Sequence, residues 1–292
     1  MTAPLATLTL GTLGPLAPVH TAQALLDSQP GLRQRAAFTT ETLCLLPAAA
    51  MDFKLLLRVL LWARERVERG AWAVILVMPR DSLEESAYFF ELLWDHDAPL
   101  VLTDGAAQLD GAVTVALDPT SRRRGVLVAI DQHLHSALHV QPAHAPHLDL
   151  FAPPVDGPVG LLQAGRCHYF RPPRARQPLP QPLFIDHRVA LLEASLGDDT
   201  DLVEQVLALD YSGLVIAAQG AGEVPPAWAL ALEMIAAQIP VVVASRCGAD
   251  TANSELQRRG LLMAGPLPPR KARVRLWMLL AAGVELGEGV LE

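Results

Sequence analysis

The stretch GTLGPLA, residues 11–17, sets two glycines in a loop that follows the apolar run LATLTL. A strand running into a glycine-containing loop is where α/β enzymes hold a nucleophile or cradle a phosphate. Position 15, where a reactive side chain would sit, is proline, with no hydroxyl, no thiol and no backbone N–H. A second group of polar residues, Arg80, Asp81 and Ser82, stands where the apolar run AWAVILVM gives way to a helical pattern. Arg80 with Asp81 beside it reads either as a salt-bridged plug or as a guanidinium that takes an anionic ligand. Asp81 reads as a helix cap or as a ligand-binding carboxylate.

Other reactive groups are sparse. The hydroxyls of Ser82 and Ser245 have no histidine beside them in sequence, and no GxSxG occurs. Five of the nine histidines, His133, His135, His139, His144 and His147, lie close together. Alternate spacing places His133 and His135 on one face of a strand. Without HExxH or a nearby cysteine the expected reading is a histidine-rich hairpin and no metal site. The GAGEVP turn, residues 220–225, lacks the third glycine of a dinucleotide fingerprint, and no cofactor is expected. Its Glu223 reads as a helix-start carboxylate favoured by the helix dipole.

These residues need elements to hold them. MDFKLLLRVLLWARERVERG and RDSLEESAYFFELLWDHD have helical periodicity. The second offers Asp81 or Ser82 as N-cap, with Glu84 or Glu85 placed for the reciprocal bond. LATLTLG, AWAVILVM, APLVLTDG, GAVTVALD and RGVLVAID read as strands. RPPRARQPLPQPLF, residues 171–184, holds five prolines and three arginines and reads as an extended connector. Beyond it the alternation restarts: strand VALLEASLG, helix DDTDLVEQVLALD, strand and turn SGLVIAAQGAGEVP, helix AWALALEMIAAQ, strand IPVVVASRCG and helix PPRKARVRLWMLLAAG. The expected class is α/β: two domains with mostly parallel sheets, residues 1–172 and 185–292, joined by a linker at 173–184.

The 292 residues are 51% hydrophobic and 18% charged, which is enough to bury a sizeable core. A net charge of −8 argues against nucleic acid or an anionic membrane as partner. The SRRRG run, residues 121–125, reads as solvated. Cys44, Cys167 and Cys247 are odd in number and far apart, as expected of reduced thiols in a cytoplasmic protein. No signal-peptide pattern and no membrane-length apolar run is seen.

With these landmarks in order, the chain resembles the bacterial-type L-asparaginase/glutaminase family. GTLGPLA matches its first motif, Gly-Thr-Gly-Gly-Thr-Ile-Ala, and VMPRDSLEESAYFFELL matches its His-Gly-Thr-Asp-Thr motif and following helix. RGVLVAIDQHLHSALHV, YSGLVIAAQGAGEVP, IPVVVASRC and PRKARVRLWMLLAAG resemble later family segments, and PVGLL falls in its expected place. The resemblance implies that the nucleophilic threonine is replaced by Pro15. It places the second threonine of a Thr–Lys–Asp relay at Arg80 and the relay lysine at Pro142. A serine that holds the substrate carboxylate falls at Ala48. Asp81 alone of the core set is retained, where the family grips the substrate's α-ammonium. Glu223 falls in a turn that in the family reaches a neighbouring subunit's site. No tyrosine lies between Ala17 and Phe38, so the family's tyrosine-bearing lid is altered.

Of the two lysines, Lys54 falls on a helix beyond AAAMD, and Lys271 matches a lysine with a structural role. The expectation is therefore a pseudoenzyme on an asparaginase scaffold, with no intact catalytic set. Its ligand candidates are Asp81, Arg80, Ser82, Ala48 and Glu223, for a small amino acid or dicarboxylate. The alternative is an amidohydrolase working with rearranged residues. The resemblance further implies a homodimer or homotetramer, and an active paralogue is a possible partner.

Overall fold

The computed structural model describes residues 5–15, 21–141 and 157–287. The chain divides into two compact units, Met1–Pro178 and Leu179–Glu292.

The first unit runs β1 (Thr7–Leu13), α1 (Ala22–Asp27), β2 (Ala37–Cys44), α2 (Phe53–Glu68), β3 (Ala73–Val77), α3 (Arg80–Leu93), β4 (Leu100–Thr103), α4 (Leu109–Leu117) and β5 (Val126–Ile130). It ends with β6 (His133–Ser136), β7 (Gly160–Gln163) and β8 (Arg166–Tyr169). Its eight strands lie in the order β2-β1-β3-β4-β5-β6-β7-β8. The first five are parallel and the last three join antiparallel. β3 and β5 are buried at every residue, as strands covered on both faces must be. Leu25 and Leu26 of α1 and Leu109, Ala112, Val113 and Ala116 of α4 pack with Leu8, Leu10 and Ile75 on one face. α2 starts at Asp52, whose Oδ1 accepts the Leu55 amide at 2.7 Å.

Two expectations are corrected here, and one strand is added. GAVTVALD is not a strand: it forms most of α4. Its β-branched residues resemble a strand, but Leu109, Ala112, Val113 and Ala116 recur at helical spacing and are buried. The cap of α3 is Pro79, with no side-chain cap bond, so neither Asp81 nor Ser82 caps it. Pro79 holds its own backbone extended and starts the helix one residue earlier, leaving Asp81 inside the first turn. The added strand is β2, parallel at the sheet edge, with alternating exposure along its first five residues.

The second unit runs β9 (Val189–Glu193), α5 (Asp201–Ala208), β10 (Gly213–Ala218), α6 (Pro226–Ala236), β11 (Val241–Ser245), α7 (Ser254–Arg258), β12 (Leu262–Met263) and α8 (Pro269–Ala281). Its sheet, β12-β11-β10-β9, is wholly parallel. Residues of α5, α6 and α7 cover one face, and Ala272, Leu276 and Leu279 of α8 cover the other.

The arginine-rich segment is anchored in the first unit. Arg176 Nε donates to Glu91 Oε1 at 2.8 Å, and the Val126 amide donates to Glu91 Oε2 at 2.7 Å. Both side chains of the ion pair are less than 15% exposed. Burial pushes the Glu91 carboxyl up, against the opposing pull of Arg176. Gly125, at φ +74°, lies beneath the pair, where a Cβ would strike both side chains.

Candidate functional site

In open parallel sheets, ligands enter at the carboxyl ends of the strands, where the strand order reverses. Here that point lies between β1 and β3, because the chain moves from β1 to β2 on one side and then to β3 on the other. Pro15, Ala48 and Arg80 follow the three strands that end there. β1 leads to Gly14 and Pro15, β2 leads through Leu45–Pro47 to a 3₁₀ turn at Ala48–Ala50, and β3 leads to Pro79 and Arg80.

The loops meet closely at this point. Gly14, at φ +79°, donates its amide to the Cys44 carbonyl at 2.8 Å. A Cβ on Gly14 would stand 2.6 Å from Pro79 Cγ and 3.2 Å from the Leu46 carbonyl oxygen. Only glycine allows this approach. Pro15, next along, is exposed to solvent. Ala48 is half-buried, and its turn is tied to α3 by Met51, whose sulfur lies 3.6 Å from Ser82 Oγ.

Arg80 does not pair with Asp81. Its Nε and Nη2 both reach Asp104 Oδ2, at the end of β4. Asp104 is 6% exposed and Arg80 36%, so the pair lies in the mouth between β3 and β4 with the carboxylate inward. Adjacent helical residues point about 100° apart, and that carries Asp81 away from Arg80. Asp81 is exposed and makes no hydrogen bond or ion pair with a described residue. Ser82 Oγ donates to the Pro79 carbonyl at 3.2 Å. Asp104 was not among the sequence candidates. Its signal was a strand-end aspartate before glycine in APLVLTDG, 24 residues from its partner.

The loop carrying Asp104 is itself fixed. Gln108 Nε2 donates to Asp131 Oδ1 at 2.8 Å, and Gln108 Oε1 accepts the Asp131 amide at 3.1 Å. Thr103 Oγ1 donates to the Ala129 carbonyl at 2.8 Å.

Pro15 cannot attack, and Thr12 is fully buried. The thiol of Cys167 is pushed up to about 12, first by burial and then by the nearby Asp118 carboxylate, so it stays protonated. His133 and His135 lie on β6 with ring centroids 6.1 Å apart. Among the described residues no group of three or more metal-ligating side chains is placed to hold an ion. His144, His147 and Pro142 lie outside the described residues.

Glu223 belongs to the second unit. It closes the turn after β10, pairing with Gln219 through a 2.9 Å bond from the Gln219 amide to the Glu223 carbonyl. It is exposed and lies ahead of the α6 cap, Pro225, so it is not a first-turn carboxylate. The turn is organised by Ser245, whose hydroxyl donates to the Gly220 carbonyl at 2.6 Å. Ser245 Oγ also accepts the Cys247 and Ala249 amides, each at 3.1 Å. Asn253 Nδ2 donates to the Gly222 carbonyl at 3.2 Å.

This architecture, two α/β units with the strand reversal at a glycine turn, is that of the asparaginase fold. The crystal structure of a probable cytoplasmic L-asparaginase from Campylobacter jejuni superposes with a TM-score of 0.88 at 23% identity. The match covers 94% of this chain and 95% of that one. Residues 10–175 match the family model "Asparaginase, N-terminal", and residues 188–288 match "Glutaminase/Asparaginase C-terminal domain". A probable L-asparaginase of Deinococcus radiodurans is 33% identical over 244 residues, 75% of this chain and 74% of that protein. A probable periplasmic L-asparaginase of Haemophilus influenzae is 30% identical over 221 residues, 68% of this chain and 63% of that relative. The chain belongs to the asparaginase family.

Proposed function

We propose that this member of the family does not carry out the family's covalent hydrolysis of asparagine or glutamine, and that it is a pseudoenzyme whose first-sheet cleft is stoppered. The observation that carries this reading is the Arg80–Asp104 pair in the mouth between β3 and β4. Pro15 follows β1, at the position the resemblance gives to the nucleophile. Loss of a nucleophile alone removes on the order of 10⁶-fold in rate in a hydrolase. Arg80 adds a permanently charged, bulky group where the resemblance expects a small hydroxyl. Asp81 remains as the candidate contact for an amino-acid ammonium, with Ser82, Ala48 and Glu223 as further ligand candidates. The protein works as a homodimer or homotetramer in the cytoplasm, with an active paralogue as a candidate partner. Among the described residues no helix is long and apolar enough to cross a membrane.

Ammonia release from asparagine and glutamine is the test. The expected result is no release above the blank. Release that Asp81→Ala abolishes overturns the reading, and Ser82 and Thr12 are then the hydroxyls to replace. That second reading, an amidohydrolase with rearranged residues, is favoured by the L-asparaginase names of the relatives. A thermal-shift screen with Asn, Asp, Gln, Glu and succinate separates a stopper from a ligand reader. A ligand at 100 times its dissociation constant stabilises by about 2.7 kcal/mol. A shift without ammonia means Arg80 leaves Asp104 for the ligand carboxylate, and no shift means the stopper stays in place.

A further inference from the structure

One side of the first-sheet mouth is charged and the other is hydrocarbon. Residues 43–51, LCLLPAAAM, carry no charged side chain and, apart from the Cys44 thiol, no side chain that donates a hydrogen bond. Leu45 and Leu46 are 58% and 49% exposed, and Pro47, Ala49 and Ala50 are exposed with them. Pro15, after β1, is a further exposed apolar residue. A contiguous apolar stretch left in water marks a binding surface, whereas single exposed leucines do not.

This stretch is tied to the loop that carries Arg80. The Leu46 carbonyl and the Pro79 ring meet across Gly14, and the Met51 sulfur lies 3.6 Å from Ser82 Oγ. The ends of β2 and β3 are separated by β1 alone, a span of about 10 Å. At the far end of that span stands Arg80. A guanidinium has five N–H donors in a planar fork, and here Nε and Nη2 converge on one oxygen, Asp104 Oδ2. The Asp104 carboxylate is inward and its loop is braced, by Gln108 on Asp131 and by Gln29 Nε2 donating to the Ala106 carbonyl. Arg80 is the more exposed member and hangs on a long side chain, so it is the member that turns toward a ligand.

We propose that this cleft takes a monocarboxylate with an apolar body, the carboxylate on Arg80 and the body along Leu45, Leu46 and Pro47. The inference rests on the reading of the cleft as a ligand site governed by the Arg80–Asp104 pair. Charge selects the head group, because a guanidinium fork matches a carboxylate. The rim selects the tail. An amide or a second carboxylate laid on residues 45–50 would give up water and find no polar side chain, whereas hydrocarbon gains from leaving water.

Ligand-observed NMR titrations of the full chain with acetate, butyrate, hexanoate and the neutral hexan-1-ol test it, with melting temperatures confirming that each variant is folded. Affinity is expected to rise about two- to fourfold for each added CH₂. Hexanoate is expected to bind roughly tenfold tighter than hexan-1-ol, and Arg80→Gln to remove that preference. Asp104→Asn releases Arg80 and is expected to tighten hexanoate severalfold. Leu45→Ser with Leu46→Ser is expected to flatten the dependence on chain length. Equal affinity for acetate and hexanoate, a hexanoate affinity that neither Arg80→Gln nor Asp104→Asn moves, or a chain-length dependence that survives the leucine replacements overturns the proposal. Ammonia release from asparagine, read on the same protein, keeps the two readings apart. Release with the hexanoate pattern intact removes the pseudoenzyme and keeps this ligand class. No release and no hexanoate pattern removes this ligand class and keeps the pseudoenzyme.

Discussion

At the carboxyl edge of the first sheet, loops are held by side-chain fit and charge. Gly14 meets Pro79 with no room for a Cβ, and Arg80 holds Asp104 across the mouth. At the carboxyl edge of the second sheet, the turn after β10 is held by hydrogen bonds to its backbone. Ser245 satisfies one carbonyl and two amides, and Asn253 satisfies another carbonyl. Gly220, at φ +49°, has nothing within 4 Å of a built Cβ. An edge bonded through its backbone leaves the loop tip free to vary. An edge closed by contact between side chains fixes the tip.

The sharpest way to break this comparison is to add one methyl to each edge. Gly14→Ala combines positive φ with a clash on Pro79 and is expected to cost about 3 kcal/mol. Gly220→Ala meets no neighbour and is expected to cost about 1 kcal/mol, for its φ alone. Urea midpoints of the two variants decide the point, and equal losses would erase the distinction. Next in size, Ser245→Ala is expected to cost about 2 kcal/mol by stranding three backbone groups of the second edge. Hydrogen exchange at the Cys247 and Ala249 amides should rise with it.

The ion pairs separate the edges more gently. Arg80→Ala leaves the 6%-exposed Asp104 carboxylate without its cation and is expected to cost about 1–2 kcal/mol. Arg246→Ala removes a partner from Glu193, which is 60% exposed, and is expected to cost under about 1 kcal/mol. Thermal melts at low and high salt should show the second loss shrinking with salt more than the first. The smallest effect is kinetic. At pH 8 a thiol reagent should label exposed Cys247 first and Cys167 last, since the latter is pushed up to about 12. Mass spectrometry of partially labelled protein reads the order.

Much of the scaffold was legible because buried parallel strands such as AVILV and VLVAI leave continuous apolar runs. α4 was misread because Val113, Thr114 and Val115 favour strands when taken singly. Its burial pattern, set by packing on β3 and β4, overrides that preference. β2 was passed over because its threonines and a glutamate make a half-exposed edge strand look like a loop. At the candidate site the sequence offered positions and not the pairing. Pro15, Arg80 and Asp81 could be named from motifs, yet the partner of Arg80 is on a different strand. Sequence neighbours suggested Asp81, whereas the parallel register of β3 and β4 presents Asp104.

The buried pair of Glu91 and Arg176 also has a consequence in time. Its members are 85 residues apart, and a ribosome working at 5–20 residues per second needs roughly 4–17 s to cover that distance. Until residue 176 emerges, the nascent first unit must keep the Glu91 carboxyl against Gly125 without its cation. A chain cut short at residue 172 would hold all eight strands of the sheet and still never receive that cation. The proline-rich segment is thus the last piece of the first unit to be made and the piece that closes it.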